Sequence, residues 1–505
     1  MSAENIPQLS RQAPLSLLVG AQGVISAASL VVEIVAGRML APHVGMSLYT
    51  WTAVIAVVLA GFSAGHWWGG RLAEKPTAAS LNWTGGALIA AAITTAGTVL
   101  LLPLAANPVL SATSDPVWGT TALTMLVFFL PSFFAGAPAP VLAKIAVETA
   151  ERTGPALGAM FAAGAVGAIA GTLLAGFLFI AWLGSTMTLI VVTLVYLACA
   201  FVFFWLGRLD WKRVSLAGTL VLGCAILAIE HPSPCDRESR YFCLRVEDVS
   251  ADPSRPVHLM VIDHLAHGIS ARDHPEIQFT KHTAMLDTLA TMRAERPDFS
   301  SFHIGGGNYA IPRSFASRGT GPVTVAEIDP AVTEMAEAAF WFDPTSANIL
   351  HEDGRRALLT RPGARYDIVI GDAFTDVVVP VHLVTREFFQ LVAGRLSPDG
   401  SFLMNVIDYE DRLGAIASIV ATMQTTFPVV EVWTELAQPE PGQRMVFVVV
   451  GGTRRTNQDA FTVPAPNQTR FGALAEAQVE QLIAEHGQIL TDDFAPIDRL
   501  IGRSD

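Results

Sequence analysis

Charged side chains are scarce in this sequence. Asp, Glu, Lys and Arg make up 15% of its 505 residues, whereas about a quarter of the residues in soluble proteins are charged. The scarcity is confined to one part of the chain, because residues 1–230 hold nine of the 32 basic residues and eight of the 45 acidic residues. This excludes an ordinary soluble domain there and indicates a membrane half joined to a soluble half.

Cysteine and net positive charge are also in short supply. Four cysteines are too few for a disulfide scaffold, and because no spacing resembles a zinc site we expect no metal. Cys199 and Cys224 lie in apolar runs, whereas Cys235 and Cys243 flank a polar loop and could pair only in an oxidising compartment. The soluble half holds 23 basic and 37 acidic residues, which disfavours nucleic acid as a partner and mildly favours a cationic substrate.

The first half contains repeated apolar runs. All but the last reach the roughly 20 residues that span a bilayer, and they lie at about 14–36, 47–70, 82–106, 118–143, 156–183, 186–207 and 214–229. We therefore predict a transmembrane domain of about seven helices over residues 1–232, multi-pass in the cell (inner) membrane, with the lipid bilayer as a partner.

Basic residues between these runs are distributed unevenly. They follow the second, fourth and sixth runs, whereas the odd-numbered loops hold only Arg38. The even-numbered loops should therefore be cytoplasmic, with the N-terminus inside. Seven spans would place the soluble half outside the cytoplasm, but the last run is short, so the side of the soluble domain stays open at this point.

The stretch 301–329 has the pattern of a nucleotide-binding unit. The apolar strand 302–304 runs directly into Gly305, Gly306 and Gly307, and a second apolar strand, 323–326, ends in Glu327. Glycines after a first strand let the backbone approach a ligand closely, and an acid about 20 residues further on can accept hydrogen bonds from ribose hydroxyls. The spacing indicates a nucleoside-type cofactor site.

Further strands in the soluble half end in acidic residues. A strand at 348–351 precedes Asp353, and a buried strand at 366–370 precedes Asp372. Strands that alternate with helices predict a parallel α/β Rossmann-like sheet, and ligands bind such sheets at the carboxyl ends of the strands. We predict a domain over residues 233–505, with a small β unit and helix at 233–295 and the Rossmann-like core at 296–505.

The motifs at these strand ends resemble those of the spermidine synthase (polyamine aminopropyltransferase) family. GGGN (305–308) resembles the family's GGGDG loop, which implies that Gly305 to Asn308 cradle the methionine-derived tail of the donor. AEID (326–329) resembles VEID, which implies Glu327 on the ribose. EDG (352–354) resembles DDG, which implies Asp353, with Gly354 beside it, on the adenine.

Three more segments carry the resemblance to the reacting end of the site. GDAFTD (371–376) stands where the family has DSSDP, so Asp372 matches the catalytic acid and Asp376 is a candidate for the substrate amine. IDHLAHG (262–268) resembles the segment beside the cofactor and implies roles for Asp263 with the substrate and His267 with the cofactor. FTKHTAM (279–285) resembles the family's FxYHEM helix and implies that Lys281 and His282 face the substrate.

The resemblance implies a membrane-fused transferase of the methyltransferase-type fold. It would move an aminopropyl group from decarboxylated S-adenosylmethionine to a polyamine acceptor such as putrescine and release methylthioadenosine, as a possible homodimer. One alternative keeps the fold and makes the chain a methyltransferase or lyase acting on S-adenosylmethionine itself, in which case Lys281 could face a carboxylate. Another alternative is a nucleoside-binding membrane transporter or sensor.

Overall fold

The structure is a computed structural model that describes residues 13–113, 115–209, 211–373, 379–464 and 466–501. It divides into two compact units, Met1–Cys243 and Leu244–Asp505. Each unit is described by itself below. The boundary at residues 232 and 233 stays a sequence-based prediction.

The first unit is helical. Its described elements are α1 (Leu15–Val44), α2 (Leu48–Ala73), α3 (Thr77–Ser111), α4 (Pro116–Gly136), α5 (Pro138–Thr149), α6 (Thr153–Leu174), a π-helical turn (Ala175–Phe179), α7 (Ile180–Leu206), α8 (Trp211–Glu230) and the short strand β1 (Arg237–Glu238). Among the described residues, five helical stretches are long and apolar enough to cross a membrane: Leu15–Val44, Leu48–Ala73, Thr77–Ser111, Val117–Thr149 and Thr153–Leu206.

Small residues let these helices approach closely. A Cβ on Gly65 of α2 would lie 2.1 Å from the carbonyl oxygen of Phe133 on α4, and one on Gly167 of α6 would lie 2.1 Å from that of Gly23 on α1. Only glycine fits at such backbone contacts, and packing of this kind drives helix association in lipid. The glycine and alanine content of the apolar runs therefore has a direct structural use.

The second unit begins with an antiparallel sheet. Strands β2 (Cys243–Asp248), β3 (Val257–Ile262) and β4 (Leu265–Ala271) pair in sequence, and Asp263 and His264 form the turn between β3 and β4. Asp263 has a φ of 54°, a left-handed conformation that Asp tolerates better than most residues. Helix α9 (Lys281–Arg293) follows this sheet.

Nine strands form the main sheet within the described residues. Their spatial order is β12-β13-β10-β11-β9-β8-β5-β6-β7, with parallel pairing from β9 to β7 and antiparallel pairing in the rest. The strands are β5 (Ser301–Ile304), β6 (Val323–Ala326), β7 (Asn348–Leu350), β8 (Tyr366–Gly371), β9 (Leu396–Tyr409), β10 (Val429–Glu435), β11 (Arg444–Gly452), β12 (Ala460–Thr462) and β13 (Arg470–Ala473).

Helices connect the strands of this sheet. They are α10 (Ala310–Arg318), α11 (Pro330–Ala339), α12 (Gly354–Thr360), α13 (Arg386–Ala393), α14 (Gly414–Gln424), α15 (Glu476–His486) and α16 (Ile497–Ile501), with 3₁₀ turns at Pro344–Ser346 and Val381–Leu383. Apolar residues of β5, β8 and β9, such as Phe302, Val369 and Phe402, pack with α13 and α14 in one buried cluster. The predicted fold class, a multi-helix apolar half followed by a Rossmann-like domain, is confirmed.

The strand order fixes where a ligand would bind. From β5 the chain passes through α10 to β6 on one side, whereas β8 lies on the other side of β5. Open α/β sheets bind ligands at such a switch point, beyond the carboxyl ends of the strands. The loops after β5 and β8 begin at Gly305 and Asp372, and these two loops therefore frame the candidate site.

Candidate functional site

The glycine loop after β5 touches the loop after β8. Gly305 has a φ of 91°, which disfavours any side chain, and a Cβ there would lie 2.5 Å from the carbonyl oxygen of Asp372. The Asp372 amide in turn donates to the carbonyl of Ile304, at 3.0 Å. Glycine at position 305 is thus what allows the predicted cofactor loop and the predicted catalytic acid to stand side by side.

Glu327 is buried at the carboxyl end of β6. One carboxylate oxygen accepts from the amide of Gly306 at 2.8 Å, and the other accepts from the amide of Asp329 at 2.9 Å. Burial raises the pKa of Glu327 to about 7, although these two hydrogen bonds favour the ionised form. Because each carboxylate oxygen has a further lone pair, Glu327 can still accept hydrogen bonds from a ribose.

Asp353 caps the start of α12, beyond the end of β7. It accepts from the amide of Arg356 at 2.9 Å and pairs with His382, whose Nε2 lies 2.7 Å from its carboxylate, and this hydrogen bond lowers the pKa of Asp353. The neighbouring Arg355 holds Asp492 through two contacts of 2.7 and 2.6 Å. A segment near position 492 is therefore tied to the loop that is predicted to hold the adenine.

Gly354 and Asn308 each allow a close packing contact. A Cβ on Gly354 would lie 2.4 Å from Cγ2 of Ile304, so this glycine lets α12 start against β5. The buried Asn308 donates from Nδ2 to Ser270 of β4 at 3.0 Å, and its side chain packs on Gly268. The asparagine therefore fixes the glycine loop to the antiparallel sheet.

A cavity of about 290 Å³ lies in front of the glycine loop and the end of β8. Its lining includes Gly305, Gly306, Gly307 and Asn308 from the loop and side chains from β4, α9, β8, β9 and β11. Its polar lining includes the side chains of His267, His282, Asp372, Asn405 and Arg444. Seven of the predicted site residues therefore line one cavity. They are Gly305, Gly306, Gly307, Asn308, His267, Asp372 and His282.

Asp372 is the carboxylate of this cavity among the described residues. Asn405 of β9 donates from Nδ2 to Asp372 Oδ1 at 2.8 Å, and His282 Nε2 lies 3.9 Å from Asp372 Oδ2. The Asn405 hydrogen bond fixes the orientation of the carboxylate, because a carboxylate can only accept and the amide nitrogen must therefore face it. One oxygen of Asp372 is held in this way, and the other faces His282.

Three histidines in this region, His264, His267 and His303, have lowered pKa values. Burial lowers the pKa of His303 to about 3, and its Nε2 contacts the Ser301 hydroxyl at 3.0 Å. Burial also lowers the pKa of His267, and burial together with the charge of Arg444 lowers that of His264 to about 4. His303 and His264 are therefore uncharged at neutral pH.

Two predicted substrate residues, Lys281 and Asp263, lie away from this lining. Lys281 pairs with Glu435 and lines a neighbouring cavity, of about 340 Å³, between α9 and the strands β10 and β11. Asp263 is buried in the β3–β4 turn, two residues before Leu265, which does line the main cavity. Asp376 lies outside the described residues.

Sequence reasoning missed Asn405 and Arg444. Asn405 lies within the apolar strand SFLMNVIDY, where a single amide facing a parallel-sheet edge is a signal that a ligand or a site residue is near. Arg444 begins β11, opposite Tyr409, and its place in the cavity lining depends on the antiparallel return of the chain. Both come from strands that follow the recognisable motifs.

Part of the chain is similar to known transferases. A polyamine aminopropyltransferase from Vibrio vulnificus is 28% identical over 216 residues, covering 39% of this chain and 68% of that protein. A probable polyamine aminopropyl transferase from Bifidobacterium longum is 26% identical, covering 35% of this chain and 43% of that protein. An N-terminal histidine N-methyltransferase from Emericella nidulans is 30% identical over 169 residues, covering 32% of this chain and 30% of that protein.

The chain spans less than half the length of the second and third of these relatives. Among solved structures, a probable spermidine synthase from Corynebacterium glutamicum ATCC 13032 has a TM-score of 0.44 and 19% identity, covering 52% of this chain and 98% of that one. No family model matches the chain.

Proposed function

We propose that this chain, a transferase of the spermidine synthase family, moves an alkyl group from an adenosyl sulfonium donor to a nitrogen nucleophile. The observation that carries the proposal is the position of Asp372, which lies at the switch point against Gly305 and faces the cavity. Such a reaction needs a nucleophile aimed in line with the donor and a group that removes its proton. A fixed carboxylate beside the cofactor loop meets the second need.

The donor would lie along the ends of β5, β6 and β7. The glycine loop, from Gly305 to Asn308, lines the cavity where the sulfonium end would be held. Glu327 would accept from the ribose hydroxyls, and Asp353, with Gly354 beside it, would hold the adenine end. His267, at the start of β4, would close the site from the side of the antiparallel sheet.

The chemical step follows from the sulfonium. The lone pair of the acceptor nitrogen forms a bond to the carbon beside the positive sulfur, and the carbon–sulfur bond breaks with its electron pair left on sulfur. The product nitrogen then carries a surplus proton, which passes to the Asp372 carboxylate. Asn405 orients this carboxylate through its 2.8 Å hydrogen bond, and His282 lies on its other side.

The first form of this function is aminopropyl transfer. The donor would be decarboxylated S-adenosylmethionine, the acceptor a small amine such as putrescine, and the second product methylthioadenosine. Two curated relatives are named for this reaction, and the soluble half has an excess of acidic residues that attracts cationic amines. In this form Asp263 and Asp376 are candidates to bind the far end of the amine.

The second form is methyl transfer from S-adenosylmethionine itself. It is favoured by Arg444, which lines the cavity, because a guanidinium repels a polycationic acceptor and attracts a carboxylate of the donor or the acceptor. Lys281 lies in the neighbouring cavity, where Glu435 offsets its charge. One relative is named as a methyltransferase of an N-terminal histidine, an acceptor that is also a nitrogen nucleophile.

Product analysis separates the two forms. Purified, detergent-solubilised protein is incubated with S-adenosylmethionine or with its decarboxylated form, each with and without a mixture of amines, and the nucleoside products are followed by mass spectrometry. Methylthioadenosine that appears only with the decarboxylated donor and an amine establishes aminopropyl transfer. Adenosylhomocysteine establishes methyl transfer, methylthioadenosine from S-adenosylmethionine alone indicates a lyase, and no product from either donor contradicts the proposal.

The cellular setting belongs to the same proposal. The five apolar helical stretches would anchor the enzyme as a multi-pass protein of the cell (inner) membrane. The enzyme would act on a small-molecule amine without nucleic acid and without a metal, and a homodimer is the assembly we propose for it.

A further inference from the structure

The helical unit reverses direction at Gly184. Helix α6 runs parallel to α1, because Gly167 and Gly171 of α6 contact the carbonyls of Gly23 and Ala27 in the same order. Gly184 then breaks the helical backbone, with a φ of 72°. After the break α7 runs antiparallel to α1, and this chain reversal divides Thr153–Leu206 into two passes.

Contacts on both sides of the break establish the reversal. Ser185 lies with Arg38, near the end of α1, around a small cavity of about 40 Å³. Further along α7, the Tyr196 hydroxyl lies 3.2 Å from that of Ser29, in the middle of α1. The end of α7 reaches the start of α3, where Asn82 donates to the carbonyl of Gly207 at 3.0 Å.

Helix α8 then crosses back. It contains 20 residues, which at 1.5 Å per residue gives about 30 Å, the thickness of the hydrocarbon core. His231, directly after α8, lines the same small cavity as Arg38 and Ser185. We call this end of the helical unit the exit face, because the chain leaves the bundle there, and we call the opposite end the basic face.

The two faces differ in positive charge. The basic face carries the ends of α2, α5 and α7, with Arg71, Lys75, Lys144, Arg152, Arg208 and Lys212. At the exit face, the helix ends up to Glu230 and the segments that join them hold only Arg38, which lies near the end of α1. Arg237 and Arg240 follow α8, but the basic face still carries more Lys and Arg than the exit face. In membrane proteins the side that is richer in Lys and Arg is the cytoplasmic side.

The disulfide gives a second, independent indication. Cys235 and Cys243 form a disulfide at the exit face, where Cys235 lines the small cavity with Arg38. Disulfides persist in oxidising compartments and are rare in the cytosol.

The disulfide-bonded segment is also clasped to the helices. Arg38 is buried and donates to the carbonyls of Tyr241 and Ser239, the latter at 3.2 Å, and Glu238 accepts from the amide of Ser185 at 2.8 Å. Arg38 of α1 thus binds the loop, and Glu238 of the loop caps the part of α7 that begins after Gly184.

We infer that the exit face is extracytoplasmic and that the soluble unit works on that side of the membrane. For the acceptor this rests on the proposed function: the nitrogen nucleophile is a molecule of the extracytoplasmic compartment rather than of the cytosolic amine pool. The donor must also be present there, which requires a transport step for an adenosyl compound before the reaction.

Labelling of two matched cysteine variants tests the inference on the full-length chain. In a background with Cys199 and Cys224 replaced by alanine, Glu295→Cys places a thiol on an exposed loop of the soluble unit, and Glu74→Cys places one on the basic face. A membrane-impermeant maleimide is applied to intact bacterial cells that produce each variant. We expect Glu295→Cys to react in intact cells and Glu74→Cys to react only after lysis; the reverse pattern overturns the inference.

The disulfide supplies a readout that needs no new cysteine. In the wild-type chain, alkylation under denaturing, non-reducing conditions should modify two thiols, and reduction should raise the number to four. Four free thiols without reduction would contradict the inference. Neither measurement depends on turnover, so a failed topology and a failed transferase assay are distinguishable.

Discussion

The affinity of the site for the nucleoside should rise with pH because of Glu327. Burial raises the pKa of this side chain to about 7, and a ribose hydroxyl donates more strongly to a carboxylate than to a carboxylic acid. A group with a pKa of about 7 is about 9% ionised at pH 6 and about 91% ionised at pH 8. If binding needs the ionised form, affinity rises by about tenfold across this interval.

The same shift predicts the opposite trend for the unliganded protein. A carboxyl whose folded pKa lies above its unfolded value of 4.5 binds more protons in the folded state, so its contribution to stability falls as the pH rises from about 4.5 to about 7. A pKa raised from 4.5 to about 7 corresponds to about 3 kcal/mol at most. Ligand binding should therefore stabilise the protein more strongly at pH 8 than at pH 6.

Calorimetric titration with methylthioadenosine measures the effect without interference from the ligand, which carries no charged tail. The control is Glu327→Gln, which keeps the shape and removes the titration. We expect the tenfold rise in the wild-type chain and a flat profile in the variant. A flat wild-type profile, or a rise that survives in Glu327→Gln, would refute the role of this carboxylate.

Three further predictions concern single side chains. Gly305→Ala should abolish nucleoside binding, because the new Cβ would lie 2.5 Å from a backbone oxygen. Gly307→Ala has no atom within 4 Å of the new Cβ, so it should cost only about 1 kcal/mol of stability through its positive φ. Thermal melts and ligand titrations compare the two variants. Asn405→Ala should lower kcat by about tenfold or more through loss of carboxylate orientation and leave nucleoside affinity within about threefold, and equal losses in both would contradict this. Asp492→Asn should lower the free energy of unfolding by up to about 1 kcal/mol near pH 7. The interaction with Arg355 lowers the pKa of Asp492 to about 2, so the stability difference between wild type and variant should be full above about pH 4 and vanish as the pH falls towards 2. Denaturant titrations at several pH values measure this difference.

Much of the main sheet was predictable because its strands are short apolar runs that end at glycine or acidic residues. The strands at 302–304, 323–326 and 366–370 appear as β5, β6 and β8 within one or two residues. Their ends carry glycine or acid because the backbone must turn or bind there. Parallel strands are buried on both faces, which makes their apolar runs continuous and easy to recognise.

Other elements gave weaker signals. Helix α14 (Gly414–Gln424) is buried almost throughout, so it has no polar face and no helical periodicity to detect. Strands β12 and β13 are three and four residues long and extend the sheet at its edge, where local pattern says little. Strand β9 begins at Leu396 and continues through Pro398 and Gly400, two residues that are more typical of turns.

Site residues at the ends of strands were predictable, whereas residues that depend on distant parts of the chain were not. Gly305, Glu327, Asp353 and Asp372 follow strands directly, so sequence order alone placed them at one edge of the sheet. Lys281 could not be placed in this way, because its partner Glu435 lies 154 residues further along the chain, on β10. The break at Gly184, by contrast, falls between the predicted apolar runs 156–183 and 186–207.

The most direct test of the central claim compares turnover and binding in Asp372→Asn. The substitution keeps the Asn405 contact within reach and removes the proton acceptor, so the account predicts a fall in kcat of about 100-fold to 10,000-fold with the donor and acceptor identified by product analysis. Affinity for methylthioadenosine should stay within about threefold of wild type. Turnover within tenfold of wild type, with binding intact, would show that Asp372 does not accept the proton and would contradict the account.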